Sequence, residues 1–408
     1  MKKIVFVVNY FSPDVASLGQ LMGDLCFELQ KDFHITVITS HPHYADELQE
    51  ALPDRLEWNG AVKVIRMKLP KMNKQSKVSR VKYMAAYFFK ALRVLTKESD
   101  VDVIYTVSQP PILGGLIGTI GKRMKRSRHI YNIQDFNPEQ AEAVSYSPSP
   151  VVTKIAAAVD KLNCRYADLN IVVGSDMAAT LQKRFTAGTP DYEVIHNWVD
   201  EEDLVPKPRT DAGVAAFLQE KRLEGKFVVM YSGNLGLFYD LENIIRITEA
   251  FRDHPDIVFA FVGEGAKKKE MQDYVAASHV KNVYFFPYEP KERIKYSLNA
   301  ADVHLVVNQK GIKGVSVPSK IYGVLAVGKP VLGVLENGSE AAVIIERSGA
   351  GVVIEPGQYE EIIDAIYSYY DLSQEERETI GRKGRLYLEQ HLTRRQSIDK
   401  YKAVFQQV

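Results

Sequence analysis

Asp200-Glu201-Glu202-Asp203-Leu204-Val205-Pro206-Lys207-Pro208 interrupts an otherwise regular alternation of β-branched runs and amphipathic helical patterns. Acidic residues followed by two prolines neither continue a helix nor enter a central strand, because proline lacks an N–H and fixes its own φ. A domain linker belongs there. Upstream, Ile4–Val8, Ile35–Thr39, Val101–Val107, His129–Ile133 and Leu169–Val173 read as strands of one sheet. Downstream, Phe227–Tyr231, Ile257–Val262, Val283–Phe286, Val303–Val307, Val331–Val334 and Val352–Ile354 read as a second series. The segments between strands are mostly long enough for crossover helices, which predicts two parallel, doubly wound α/β domains. Ligands in such sheets bind outside the carboxyl ends of the strands, so functional residues are expected in the loops after them. Ser17 and Gln20 fit a capping box for a helix whose apolar face is Leu18, Leu21, Met22, Leu25 and Leu29.

Size and composition agree with this reading. A chain of 408 residues exceeds one core at roughly 100–200 residues per domain. The first 200 residues carry 25 Lys/Arg against 21 Asp/Glu and the rest 27 against 30, too small a bias for a nucleic-acid field. Cys26 and Cys164 both sit among apolar neighbours and have no zinc spacing, which suits a reducing compartment. The N-terminal apolar run is too short for a signal peptide and reads as a first strand. No stretch of about 20 apolar residues offers a membrane span.

Three segments carry chemistry. Tyr231-Ser232-Gly233-Asn234-Leu235-Gly236 follows a strand, with a helix expected to start near Asp240, and its glycines allow close approach of the backbone to a ligand. Phe261-Val262-Gly263-Glu264-Gly265 repeats the arrangement but lacks the third glycine of a dinucleotide fingerprint, which disfavours an NAD-dependent enzyme. Lys313-Gly314-Val315-Ser316-Val317-Pro318-Ser319-Lys320-Ile321-Tyr322-Gly323 runs from a flexible loop into a helix, with Pro318 in its first turn. Ser319 and Lys320 then stand at a helix N-terminus, where free N–H groups, the dipole and the lysine charge all favour a phosphate. Each segment also has a plain reading, as a strand-to-helix turn or a capped helix with a solvated lysine.

These segments, with others in order, resemble glycosyltransferase family 4, especially bacterial enzymes of O-antigen, capsule and exopolysaccharide synthesis. The resemblance covers nearly the whole length. Asn9-Tyr10-Phe11-Ser12-Pro13 looks like the family's opening strand and acceptor-side loop; Gln134-Asp135-Phe136-Asn137-Pro138-Glu139 looks like its "Q-D-x-x-P-E" segment. Val194-Ile195-His196-Asn197-Trp198-Val199-Asp200 resembles the stretch before its linker, and Val317 through Pro330 resembles the donor helix of one subgroup. The resemblance implies a GT-B fold, two Rossmann-like domains facing across a cleft. Residues 1–205 would bind the acceptor, residues 206–375 the nucleotide-sugar donor, and residues 376–408 would form helices returning to the first domain. It implies transfer with retention, from a nucleotide-diphospho-sugar, with no metal and no cofactor; a UDP-sugar is the expected donor, although the sequence leaves the base open between uracil and guanine. Donor contacts are expected from Gly233, Asn234, Gly236, Gly263, Glu264, Pro318, Ser319, Lys320, Ser339 and Glu340. Acceptor contacts are expected from Tyr10, Ser12, Gly19 and His43. Asp135 and Lys320 are the catalytic candidates: Lys320, with N–H groups near Ser319 and Gly233-Asn234, to hold the departing diphosphate, and Asp135 to orient the acceptor or stabilise oxocarbenium character. Asp135 as a helix cap is the competing reading.

The chain departs from the family at two positions. Where relatives carry two glutamates eight residues apart, Val315 and Gly323 stand here, and Glu340 is the candidate replacement for the ribose contact. Asp100-Val101-Asp102 directly precedes a strand and does not read as a metal motif. Residues 68–93 carry Lys68, Lys71, Lys74, Lys77, Arg80, Lys82, Lys90 and Arg93 with no acid, interleaved with Tyr83, Met84, Tyr87, Phe88 and Phe89. With Lys122-Arg123-Met124-Lys125-Arg126-Ser127-Arg128, this suits an anionic membrane surface and an undecaprenyl-diphosphate-linked acceptor at the cytoplasmic face; the aromatics packing into a core is the alternative. A sugar-nucleotide epimerase and a non-catalytic sugar-nucleotide binder remain the alternative functions.

Overall fold

A computed structural model describes residues 1–14, 16–42, 54–58, 61–71, 76–143, 149–186 and 188–408. The chain divides into two compact units: Met1–Glu142, Tyr146–His196 and Ser397–Val408 form the first, Ala143–Ser145 and Asn197–Gln396 the second.

The first unit runs β1 (Lys3–Val7), α1 (Ser17–Leu29), β2 (His34–Ser40), β3 (Arg55–Trp58), β4 (Val62–Met67), α2 (Lys77–Thr96), β5 (Val103–Val107), α3 (Leu113–Lys125), β6 (Arg128–Ile133), α4 (Glu139–Ala143), α5 (Pro150–Tyr166), β7 (Leu169–Val172), α6 (Ser175–Lys183) and β8 (Tyr192–Val194). Its sheet has the order β3-β4-β2-β1-β5-β6-β7-β8, parallel except for the antiparallel edge strand β3. The second unit runs α7 (Ala212–Glu220), β9 (Phe227–Ser232), α8 (Leu241–Ile247), β10 (Ile257–Val262), α9 (Lys268–Ser278), β11 (Val283–Phe286), α10 (Lys291–Asn299), β12 (Val303–Val307), α11 (Lys320–Ala326), β13 (Val331–Val334), α12 (Glu340–Ser348), β14 (Gly351–Ile354), α13 (Tyr359–Asp371) and α14 (Gln374–His391). Its sheet is wholly parallel in the order β11-β10-β9-β12-β13-β14. A last helix, α15 (Arg394–Gln407), brings Tyr401 and Phe405 into the first unit's core, where Phe405 meets Phe6, Phe33 and Tyr105.

Central strands are apolar on both faces because helices cover both. Val229 and Tyr231 of β9 enter one core cluster while Val228 and Met230 enter the other. In the second sheet the strand order reverses between β9 and β12, and in the first between β1 and β5. A crevice opens at the carboxyl ends of strands at such a switch point.

Two expectations need correction. Ser17 is the first helical residue and Ala16 is the N-cap, with no side-chain cap; the Ala16 N–H is taken by Asp14 Oδ1 at 3.2 Å instead. Pro318 precedes the N-cap residue Ser319 rather than lying within the first turn of α11. β3, β4 and β8 were not anticipated. Lys63 and Arg66 break the apolar pattern of β4, and β3 and β8 are too short to show periodicity.

Candidate active site

In the second unit, the loops after β9 and β10 interlock through the backbone. Gly233 N–H donates to Val262 O at 2.9 Å, Leu235 N–H to Glu264 O at 2.9 Å and Lys267 N–H to Leu235 O at 2.9 Å. Gly233 and Gly263 have φ of +144° and +149°, and a Cβ on Gly263 would lie 2.0 Å from Gly233 O. Only glycine allows that approach. A Cβ on Gly236 would press on the Asn234 side-chain amide at 3.0 Å. The Gly233 N–H is therefore spent inside the protein, which corrects its expected part in holding a diphosphate. What Gly233 supplies is room: a Cβ there would sit 3.4 Å from Lys320 Cε.

Lys320 begins α11, and its amine donates to Tyr231 Oη at 2.5 Å. It lies 3.9 and 3.8 Å from the ring centroids of Tyr231 and Tyr239. Tyr231 Oη in turn donates to Asn234 O at 2.8 Å, so lysine, tyrosine and glycine loop form one chain of contacts. Lys320 has no carboxylate partner among the described residues. The residue keeps some exposure, yet burial around the amine pulls its pKa well below 10.5, and burial pushes the Tyr231 hydroxyl up. Two tyrosine faces attract a cation but do not neutralise it. A buried, unneutralised cation is costly, and an arriving anion relieves that cost.

Across the loop from β12 to α11, Glu336 Oε2 accepts the N–H groups of Gly311 and Lys313, both at 2.9 Å, and Lys313 Nζ donates to Asn337 O. This ties the loop to the segment before α12. Ser339 stands at the N-cap position of α12 without a side-chain cap bond and Glu340 is its first residue; both are buried, and Ser339 Oγ has no hydrogen-bond partner among the described residues. Glu264 is exposed, with its carboxylate paired to Lys268 at 2.5 Å. Pro318 and Val315 are buried, and a Cβ on Gly323 would meet Leu298 Cδ1 at 3.5 Å. Thus Gly233, Asn234, Gly236, Gly263, Glu264 and Lys320 are joined by contacts. Ser339 and Glu340 begin α12 after the neighbouring strand β13, and the segment just before them is tied to the loop through Lys313.

In the first unit, Asp135 follows β6. Its N–H and that of Gln134 both donate to Ser108 Oγ at 3.1 Å. Gln109 Nε2 reaches Asp135 Oδ2 at 3.2 Å, and Gln140 Nε2 reaches Oδ1 at 2.9 Å. Asp135 is thus held at the end of β5, the switch-point strand, with both carboxylate oxygens taken by side-chain amides. The rest of its segment fixes the loop: Arg184 pairs with Glu139 at 2.6 Å and Asp160 at 2.7 Å while lying over the Phe136 ring.

The loop after β1 is pinned as well. Ser40 Oγ and Thr39 Oγ1 donate to Asn9 O at 2.7 and 3.3 Å, and Tyr83 Oη donates to Asn9 Oδ1 at 3.0 Å. Burial pushes the Tyr83 hydroxyl up to about 12. Tyr10 and Ser12 are partly exposed on this loop, and Gly19 lies beneath it, its Cβ position 3.0 Å from Asp14 O. His43 lies outside the described residues. Sequence reading missed Arg66, buried on β4: its Nη2 donates to Ser12 O at 2.6 Å while Nε and Nη1 have no partner among the described residues. Burial lowers its pKa and Asp14 opposes that. Ser108, Gln109, Gln140 and Tyr239 were also missed. Their only signal was position, since Ser108 and Gln109 directly follow a strand as Asp135 does.

The sequence model of the family described as "Glycosyl transferases group 1" matches residues 216–387. The chain is 26% identical over 415 residues to the probable glycosyltransferase WbjE of Pseudomonas aeruginosa, covering 99% of this chain and 97% of that protein. It is 26% identical over 384 residues to the putative colanic acid biosynthesis glycosyl transferase WcaI of Escherichia coli K12, covering 90% and 91%. Among solved structures, sucrose-phosphate synthase from Thermosynechococcus elongatus matches with a TM-score of 0.76 at 16% identity, covering 100% and 99%. Anabaena HepE in complex with UDP and glucose matches at 0.73 and 16%, over the whole of both chains. These structural likenesses show the fold, GT-B, with two Rossmann-like domains.

Proposed function

We propose that this chain, whose residues 216–387 match the group 1 glycosyl transferase model, moves a sugar from a UDP-sugar to a lipid-linked or saccharide acceptor. The acceptor is a growing bacterial surface polysaccharide of the O-antigen or capsule kind, and transfer retains the anomeric configuration. The carrying observation is the Lys320 amine, packed between Tyr231 and Tyr239 with no carboxylate partner among the described residues. In the transfer the bond from the anomeric carbon to the β-phosphate oxygen breaks, the acceptor hydroxyl oxygen bonds to that carbon, and the hydroxyl proton leaves. Negative charge grows on the leaving diphosphate, and a preorganised cation stabilises it more in the transition state than in the ground state. Lys320 is that cation, and no metal ion is required in this reading. Ser339 and Glu340 take the ribose of the donor, while Asp135 orients the acceptor hydroxyl from the first unit, with Tyr10, Ser12 and Gly19 around the acceptor. The complexes of HepE with UDP and UDP-glucose support a UDP donor, and the colanic acid role in the name of WcaI supports the polysaccharide setting. We place the enzyme peripherally on the cytoplasmic face of an anionic membrane, where a polyprenyl-diphosphate acceptor resides; no helix among the described residues is long and apolar enough to cross a membrane.

A panel of nucleotide-sugars tests this. A UDP-sugar should raise the melting temperature in a concentration-dependent way and release UDP slowly by hydrolysis, and the anomeric coupling in the product formed with a polyprenyl-diphosphate sugar should match the donor's. Tight binding with no turnover under every acceptor would leave a binding protein; inversion at the anomeric carbon would refute retention.

A further inference from the structure

Helices that cover a sheet normally turn apolar residues inward and polar ones to water. α5 does the reverse. Its buried positions are Thr153, Asp160, Asn163 and Cys164, and the polar groups among them are satisfied. Asp160 accepts from Tyr131 Oη at 2.9 Å and pairs with Arg184, and Asn163 bonds Thr119 at 3.2 Å and the Ile112 carbonyl at 3.0 Å. Its outward line is Val151, Ile155, Ala158, Leu162 and Tyr166, spaced as one helical stripe, with Ile155 61% and Leu162 50% exposed. Lys154, Lys161 and Arg165 flank that stripe, and the Arg123 guanidinium of α3 lies 4.9 Å from the Tyr166 ring centre.

The stripe is one part of a larger surface. α3 packs between α2 and α5 on one side of the first sheet. Tyr83 and Tyr87 of α2 are buried, which assigns those aromatics to the core, whereas Val78, Val81 and Phe89 face outward beside Lys82, Lys90 and Arg93. In α2, α3 and α5 together the one acidic residue is Asp160, which is buried against Arg184. Such a surface repels cations, exposes contiguous apolar side chains and offers no carboxylate to a basic partner.

We infer that the outer face of α2, α3 and α5 is where the protein lies against an anionic lipid bilayer, with the Val151–Tyr166 stripe of α5 entering the headgroup region. Basic residues flanking an apolar helical stripe are the composition that binds such an interface, the charges holding the lipid phosphates while the apolar side chains leave water. This rests on the reading of a membrane-resident transferase and names the element that does the insertion.

The test uses the full chain and vesicles of phosphatidylcholine with or without phosphatidylglycerol. The first comparison sets the unmodified protein against Ile155→Glu/Leu162→Glu, with Leu386→Glu on exposed α14 as a control for loss of any surface apolar residue. A second probe is Ile155→Cys carrying an environment-sensitive fluorophore, since the native Cys26 and Cys164 are buried. The inference expects flotation with anionic vesicles that falls at least about tenfold in the α5 double variant and not in the control. It also expects a blue-shifted, brighter fluorophore on those vesicles and unchanged thermal stability. Equal flotation of the double variant would overturn insertion by α5 while leaving the membrane reading standing. Failure of the unmodified protein to float would overturn both. Self-association abolished by the double variant, without vesicle binding, would assign the surface to a protein partner and overturn the inference.

Discussion

Replacing Lys320 by methionine removes a cation while keeping most of the side-chain bulk, and its consequences run in opposite directions for binding and stability. A hydrogen bond to a charged group contributes about 1.5–3 kcal/mol, so the Kd for UDP should rise roughly 10- to 150-fold. The free protein should lose little or become more stable. Tyr231 Oη keeps its bond to Asn234 O, and the lost group is a cation that burial disfavours. The same shift gives a proton signature. The unfolded chain binds the Lys320 proton up to about pH 10.5, whereas the folded free protein releases it well below that. Stability from this group therefore rises with pH across the window between those two values. A bound diphosphate restores the charge, so UDP binding in that window should take up a proton. Calorimetric titration in two buffers of different ionisation enthalpy, run as a pH series up to about 10.5, measures that uptake directly. An affinity within about twofold of the unmodified protein, or an uptake that persists in Lys320→Met, would refute the role assigned to this amine.

Three further outcomes follow from other parts of the molecule. Asp135→Asn sets an amide against the donors of Gln109 and Gln140; the turnover number should fall about 100-fold or more while the donor Kd holds, and unchanged turnover would return Asp135 to a structural role. Gly263→Ala would put a methyl 2.0 Å from Gly233 O at a φ of +149°, so a loss of about 2–4 kcal/mol is expected, read as a melting-temperature drop of several degrees, and an unchanged melt would contradict the interlocked loops. His129 and His304 are buried and remain neutral down to about 3 and about 4, so the unfolded chain takes up protons below 6.5 that the native chain does not. Stability should fall as pH drops, by up to about 1.4 kcal/mol per unit for each histidine, and His304→Gln should flatten the slope between about pH 6 and 5; an unaltered slope would contradict its neutral burial.

The fold was largely legible because the strands of the second unit are short, mostly apolar runs, those of β10 and β13 apolar on both faces, and such runs announce themselves. β4 was not, because its buried Arg66 looks like a surface residue until the structure shows it under the Asn9–Pro13 loop. The glycine loops were legible through chain order, as segments following strands, and Lys320 as the start of a helix. The two tyrosines around the amine were not, since Tyr231 reads as a core strand residue and Tyr239 as a loop residue until the sheet brings them together. The surface role of α5 was hidden for a related reason. Its apolar residues have an ordinary core pattern, and only the polar partners Arg184, Tyr131 and Thr119, supplied by other elements, turn that pattern outward.

A crystal structure of the full chain with UDP is the sharpest test of the donor site. A phosphate oxygen should lie within roughly 2.7–3.2 Å of Lys320 Nζ, beside Gly233, with the ribose toward Ser339 and Glu340. UDP bound with its phosphates remote from Lys320, whose amine still meets only Tyr231 and Tyr239, would contradict this placement.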